Sequence, residues 1–98
     1  MEFEWDEEKN GSNLEKHGID FETAMLIWEG PVVEKVSNRR DYGENRFVVF
    51  GMVDNRVLAV VYTWRDNRCR IISARKANRN ERRAYRETLA RSRPDQGE

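Results

Sequence analysis

Along the first thirty residues the apolar positions fall at helical spacing, and further on they gather into short β-branched and aromatic runs. Residues 3–5, Phe-Glu-Trp, are aromatic and read as a short extended segment. Asp6 then offers an N-cap carboxylate, and Glu7 and Glu8 occupy a first turn where negative charge suits the helix dipole. A helix is predicted over about 6–17. Lys16 and His17 fall in its last turn, and Gly18 can take the left-handed conformation that closes a helix, with Ile19 folding back as the hydrophobic contact. Asp20 caps a second predicted helix, in which Phe21, Ala24, Met25 and Trp28 stand at i, i+3, i+4 and i+7 before Gly30-Pro31 ends it.

Four strand-length segments follow, at 32–36, 47–53, 57–64 and 69–74, and they predict a meander. Asp54-Asn55 and Asp66-Asn67 tolerate positive φ, so two tight hairpins should join the last three strands antiparallel. Residues 57–62, Val-Leu-Ala-Val-Val-Tyr, are apolar on both faces, which places this strand at the centre of the sheet. The polar stretch 37–46 reads as a surface loop able to reach over a binding face. Asn78 and Glu81 stand in N-cap and N3 relation and start a basic helix over 79–91, whose apolar residues are only Ala84, Tyr85, Leu89 and Ala90. The prediction is one α+β domain over residues 1–92, with a flexible tail over 93–98.

Length narrows the function classes. A chain of 98 residues buries only about 60 to 65% of its unfolded surface, so a deep enclosed cofactor pocket is not expected. Cys69 is the only cysteine, which excludes an intrachain disulfide and a cysteine-built zinc site. There is no Walker loop, no paired metal-ligand histidine motif, no Gly-x-Ser-x-Gly and no GxGxxG, and the expectation is a protein with no metal and no cofactor. No apolar run approaches a membrane span and the start is acidic, so a cytoplasmic protein without membrane attachment is expected.

The zero net charge is unevenly distributed. Residues 1–36 hold ten acids and three bases, for −7, while residues 37–98 hold fifteen bases and eight acids, for +7. All but one of those fifteen are arginine, whose planar fork pairs bidentately with phosphate. They concentrate around the fourth main strand and the last helix, and this composition suits a phosphate ligand better than any other. RNA carries its own nucleophile, the 2′-hydroxyl, so its cleavage needs only a base, an acid and cations that stabilise the phosphorane. His17 is the natural acid-base candidate, and it is equally a helix-ending cation favoured by the dipole. Arg75, where the strand leads into the basic helix, either meets an anion or pairs with Glu81. Glu81 is a capping-box residue or a carboxylate catalyst, and Tyr85 is core or acid. Period-2 alternation puts Arg70 on the face opposite Arg75. Cys69 reads as a small buried hydrophobe, and core packing competes with base stacking for Trp5, Trp28 and Trp64.

Two blocks carry a family resemblance: residues 3–10 with 13–24, FEWDEEKN and NLEKHGIDFETA, and residues 70–77, RIISARKA, followed by Glu81-Arg82 and Tyr85. In this order they resemble the BrnT toxin family. The resemblance implies a RelE-like fold with two N-terminal helices, a mainly antiparallel sheet of about four strands plus a short N-terminal strand, and a C-terminal basic helix. It implies the toxin of a type II toxin-antitoxin system, an endoribonuclease that inhibits translation. The implied partners are RNA as substrate and a BrnA-like antitoxin with a ribbon-helix-helix part, in a heterotetramer that meets operator DNA through the antitoxin and represses its own operon. By position, the implied catalytic set is His17, Arg65, Arg75, Glu81, Arg82 and Tyr85. Arg39, Arg40, Arg70 and Lys76 are candidate RNA contacts, as are Arg79, Arg83 and Arg86 on the last helix. The acidic N-terminal third would face away from this surface or touch a basic partner. Two alternatives remain open on the residues alone: a catalytically silent module that binds nucleic acid or an antitoxin, and a structural adaptor that binds protein only.

Overall fold

The computed structural model describes residues 1–36 and 44–92. The elements are β1 (Glu2–Glu4), α1 (Glu7–His17), α2 (Phe21–Ala24) continued by a 3₁₀ turn (Met25–Glu29), β2 (Val33–Val36), β3 (Phe47–Val53), β4 (Arg56–Arg65), β5 (Arg68–Lys76) and α3 (Arg79–Arg91). The sheet has the order β1-β5-β4-β3-β2. Every pairing is antiparallel except β1 with β5. The architecture is α+β, with β4 at the centre as its two-sided apolar pattern requires.

Local chemistry sets the element ends. The Asp6 carboxylate accepts from the N–H groups of Glu8 (2.8 Å) and Lys9 (3.3 Å), which would otherwise lack partners at the start of α1. Gly18 closes α1 at φ 71°, its N–H bonded to the Leu14 carbonyl at 2.8 Å. Asp20 caps α2 through the Thr23 N–H. Both hairpin pairs, Asp54-Asn55 and Asp66-Asn67, have positive φ throughout, the twist that a two-residue turn needs. Asn78 and Glu81 form the reciprocal capping box of α3.

The second helix departs from the prediction. Its α-helical part ends at Ala24, and the chain tightens into a 3₁₀ turn. The fully buried residues there are Phe21, Ala24 and Ile27, a period of three rather than the 3.6 of the predicted stripe. Ile27 takes the core position, and Met25 and Trp28 are only half-buried. The cause lies in β3: a Cβ built on Gly51 would stand 2.5 Å from the Ile27 Cβ, so the turn rests directly on the strand backbone.

Side chains from α2 and the 3₁₀ turn pack on one sheet face, against Val49, Leu58, Val60, Cys69, Ile71 and Ala74. On the other face, Tyr85 of α3 joins a smaller cluster with Phe50, Val57, Ala59 and Ala77. β5 does not alternate evenly between the two. Its register against β4 passes from Val61↔Ser73 to Tyr62↔Ile71, leaving Ile72 as an extra, bulged residue. Cys69, Ile71 and Ala74 therefore all face the larger core. The expectation for Arg70 and Arg75 is corrected accordingly: Arg70 lies opposite Thr63 and Arg75 opposite Ala59, so both occupy the α3 side.

Candidate functional site

β1 covers the outer edge of β5 only at residues 68–70. Beyond that, α1 takes over the edge through a single side chain. The buried Asn13 amide donates to the carbonyls of Ala74 and Ile19, both at 2.8 Å, and its oxygen accepts the Ala74 N–H at 3.1 Å. A polar residue inside a helix satisfies a strand edge here, and α1 becomes a wall beside the α3-side face of β5. Between wall and strand lie two clefts. The larger, of about 410 Å³, is lined by Lys9, Arg46, Arg65, Arg70 and Ile72, with the acids Asp6 and Glu44. The smaller, of about 230 Å³, is lined by Ser12, Lys16, His17, Ser73 and again Lys9 and Ile72. The bulged Ile72 and Lys9 are thus common to both.

The arginines of this face are held by the chain's own carboxylates. Parallel pairing sets Glu2 opposite Arg68 and Glu4 opposite Arg70, with ion pairs at 3.1 Å for Glu2–Arg68 and 3.0 Å for Glu4–Arg70. Glu44 meets Arg65 at 3.3 Å and Arg46 at 3.4 Å. The expectation that the acidic N-terminal third faces away is thereby corrected for Glu2 and Glu4, which neutralise the basic strand of the same chain. Arg75 grips Glu81 with both terminal nitrogens, at 2.8 and 2.9 Å. That fork holds the Glu81 carboxyl below its ordinary range and raises Arg75. Glu81 also accepts the Asn78 N–H at 2.8 Å, so the ion-pair and capping readings are both realised in one carboxylate.

The other predicted positions divide between clefts, α3 and core. His17 is exposed at the end of α1 and lines the smaller cleft. Arg82 donates to the Ala77 carbonyl at 2.9 Å. Tyr85 is buried, its hydroxyl donating to the Pro31 carbonyl at 2.8 Å, and burial raises its pKa. Lys76, Arg79, Arg83 and Arg86 are exposed and line neither cleft. Arg39, Arg40 and the tail over 93–98 lie outside the described residues. Cys69 is fully buried, and desolvation pushes its thiol up to about 12. Trp28 packs against Phe3 and Tyr62, Trp5 against Phe21, and Trp64 is about half exposed.

Sequence reasoning overlooked Lys9, Ser12, Lys16 and Arg46. The first three stand at i, i+3 and i+7 and so share one side of α1, a polar stripe visible in the sequence once the apolar positions are set aside. Chemically, the face combines an exposed imidazole, lysines and several arginines, a set able to move a proton and stabilise charge on a phosphate. Among the described residues no group of three or more His, Cys, Asp or Glu is placed to hold a metal ion. Among them also, no helix is long and apolar enough to cross a membrane.

No curated protein matches the chain. The family model described as the ribonuclease toxin, BrnT, of type II toxin-antitoxin systems matches residues 5–81, from the link between β1 and α1 to the first turn of α3, and leaves Arg82, Arg83, Tyr85 and Arg86 beyond its end. A match over most of the chain, on a fold whose open basic face carries an imidazole at its border, shows that this protein belongs to the BrnT family of ribonuclease toxins.

Proposed function

We propose that the chain is a metal-independent endoribonuclease of RelE-like fold, which arrests translation by cleaving RNA on the face shared by β5 and α1. The observation that carries this reading is the placement of Arg65 and Arg70 on one, and of His17 on the other, of two adjoining clefts that share Lys9 and Ile72. In the reaction, the RNA 2′-oxygen loses its proton to a base and attacks the adjacent phosphorus. The 5′-oxygen leaves with a proton, giving a 2′,3′-cyclic phosphate and a 5′-hydroxyl. His17 is the residue proposed to exchange these protons, and Arg65, Arg70 and Arg75 are proposed to bear on the phosphorane. The geometry supports positioning roles for three members of the expected set: Glu81 orients Arg75 and starts α3, Arg82 ties α3 to the chain before it, and Tyr85 anchors α3 on the sheet.

A BrnA-like antitoxin of ribbon-helix-helix type is the proposed partner, in a heterotetramer that binds operator DNA through the antitoxin and acts in the cytoplasm. The exposed arginines of α3, Arg79, Arg83 and Arg86, offer an acidic antitoxin segment a docking surface. A second reading, a silent binding module, draws support from the carboxylates that already occupy Arg65, Arg70 and Arg75.

The test is growth and total RNA integrity after induction of the chain, compared with folded His17→Ala and Arg75→Ala variants. Arrest with RNA cleavage in the parent and relief in both variants is the expected result. Full toxicity in both variants overturns the residue assignment, and binding with steep salt dependence but no cleavage by the purified protein favours the silent module.

A further inference from the structure

We propose that RNA runs as a single strand along α1, its phosphates held by Lys9 and Lys16, so that this helix and not the outer face of α3 is the main phosphate-contacting surface. The inference rests on the ribonuclease reading and assigns to it two residues that lie outside the expected site.

Three observations carry it. Lys9 and Lys16 are two turns apart on one side of α1, about 10 Å along its axis, and both line the clefts, Lys9 at the junction and Lys16 beside His17 and Ser73. The two clefts share Lys9 and Ile72, so they form one path bordered by the helix on one side and bulged β5 on the other. A path of this kind takes one extended strand; an A-form duplex presents a broad shallow groove to a broader surface.

The second observation is charge availability. Among the described residues, neither lysine ammonium has an ion-pair or hydrogen-bond partner. A phosphate reaching Arg65 or Arg70 must displace Glu44 or Glu4, whereas one reaching Lys9 or Lys16 displaces no carboxylate among them. The acids that line the larger cleft with Lys9 are Asp6, already accepting two α1 N–H groups, and Glu44, engaged by Arg46 and Arg65.

The third is rigidity. Asn13, between the two lysines in the sequence, pins α1 to Ala74 of β5 by two hydrogen bonds and to the Ile19 carbonyl of the following turn by a third, so the lysine stems rise from a fixed backbone. Arg83 and Arg86 border neither cleft and stand on a convex helix. Lys16 would set a phosphate next to the His17 imidazole, which connects binding along α1 to proton transfer at its end.

The experiment measures binding of a single-stranded RNA oligonucleotide, 2′-O-methylated throughout to block cleavage, to the full chain by fluorescence anisotropy across a salt series. Parent, Lys9→Gln/Lys16→Gln and Arg83→Gln/Arg86→Gln are compared, each checked for folding by circular dichroism. Each lost phosphate contact on a single strand removes about 0.7 from the slope of log K against log salt. The lysine pair should therefore lower the slope by about 1.4 and weaken binding about 25-fold at about 0.1 M salt, while the α3 pair leaves the slope within about 0.3 of the parent. An unchanged slope in the lysine pair, with a parent that binds and cleaves, overturns the α1 path alone. A slope lost only in the arginine pair moves the strand to α3. A parent that neither binds the oligonucleotide nor cleaves RNA overturns the ribonuclease reading and this one with it.

Discussion

Replacing Asn13 by alanine removes the only side chain that joins α1 to the uncovered edge of β5 by hydrogen bonds among the described residues. The Ala74 N–H and the carbonyls of Ala74 and Ile19 lose a partner together. At a net value of about 1 kcal/mol per bond the cost is about 3 kcal/mol, and more where water fails to reach the vacated groups. A domain of this size has about 5 to 15 kcal/mol in total, so the loss is a large fraction of it. With a urea slope of about 1.5 kcal/mol/M, the unfolding midpoint should fall by about 2 M. Urea titration followed by tryptophan fluorescence reads this directly. Asn13→Asp sharpens the test: the carboxylate still accepts from the Ala74 N–H but faces two carbonyl oxygens in a buried place. Its folded pKa must rise above the unfolded value, so the variant is least damaged below that value and loses stability as pH rises through the folded one. A loss under about 1 kcal/mol in Asn13→Ala, or a pH-independent deficit in Asn13→Asp, would refute the reasoning.

Gly51→Ala should destabilise the fold by about 1 to 3 kcal/mol, read as a lowered thermal midpoint, because the new methyl group meets the Ile27 Cβ itself. Shortening that side chain in Gly51→Ala/Ile27→Ala should give no rescue, and a rescue would place the clash elsewhere. Glu81 has a depressed pKa, so its contribution is present above the ordinary carboxylate pKa and is lost as pH falls through the folded value. Glu81→Gln keeps a capping carbonyl oxygen, and the gap in thermal midpoint between it and the parent should narrow from about pH 6 to about pH 2; a constant gap would mean that the Arg75 ion pair contributes nothing. Cys69, with its thiol raised to about 12, should resist a thiol reagent at about pH 8 in the native protein and react at once in denaturant. Rapid labelling of the folded chain would contradict its burial.

Local rules were legible wherever the partner of a group lies within a few residues. Asp6, Gly18, Asp20 and the Asn78–Glu81 box end their helices as their side chains and backbone freedom require, and the Asp-Asn pairs turn both hairpins. The bulge at Ile72 was not legible. Arg-Ile-Ile-Ser-Ala-Arg accepts either alternation, and only packing Ile71 and Ala74 into the same core selects the one that brings Arg70 to the side of Arg75. The 3₁₀ turn was hidden for a similar reason, since it answers to the absence of a side chain on Gly51, more than twenty residues away.

Neighbouring residues and composition suffice to set the side-chain-capped helix starts, the Gly18 stop of α1, the central strand, the hairpins, the arginine-rich half of the chain and the blocks that resemble the toxin family. Tertiary structure alone decided which cations remain available. Pairing β1 in parallel with β5 sets Glu4 against Arg70 across 66 positions of sequence, and docking α1 through Asn13 turns Lys9 and Lys16 into one wall of a cleft. Coulomb interactions depend on distance in space, and those distances exist only once the sheet edge has been covered.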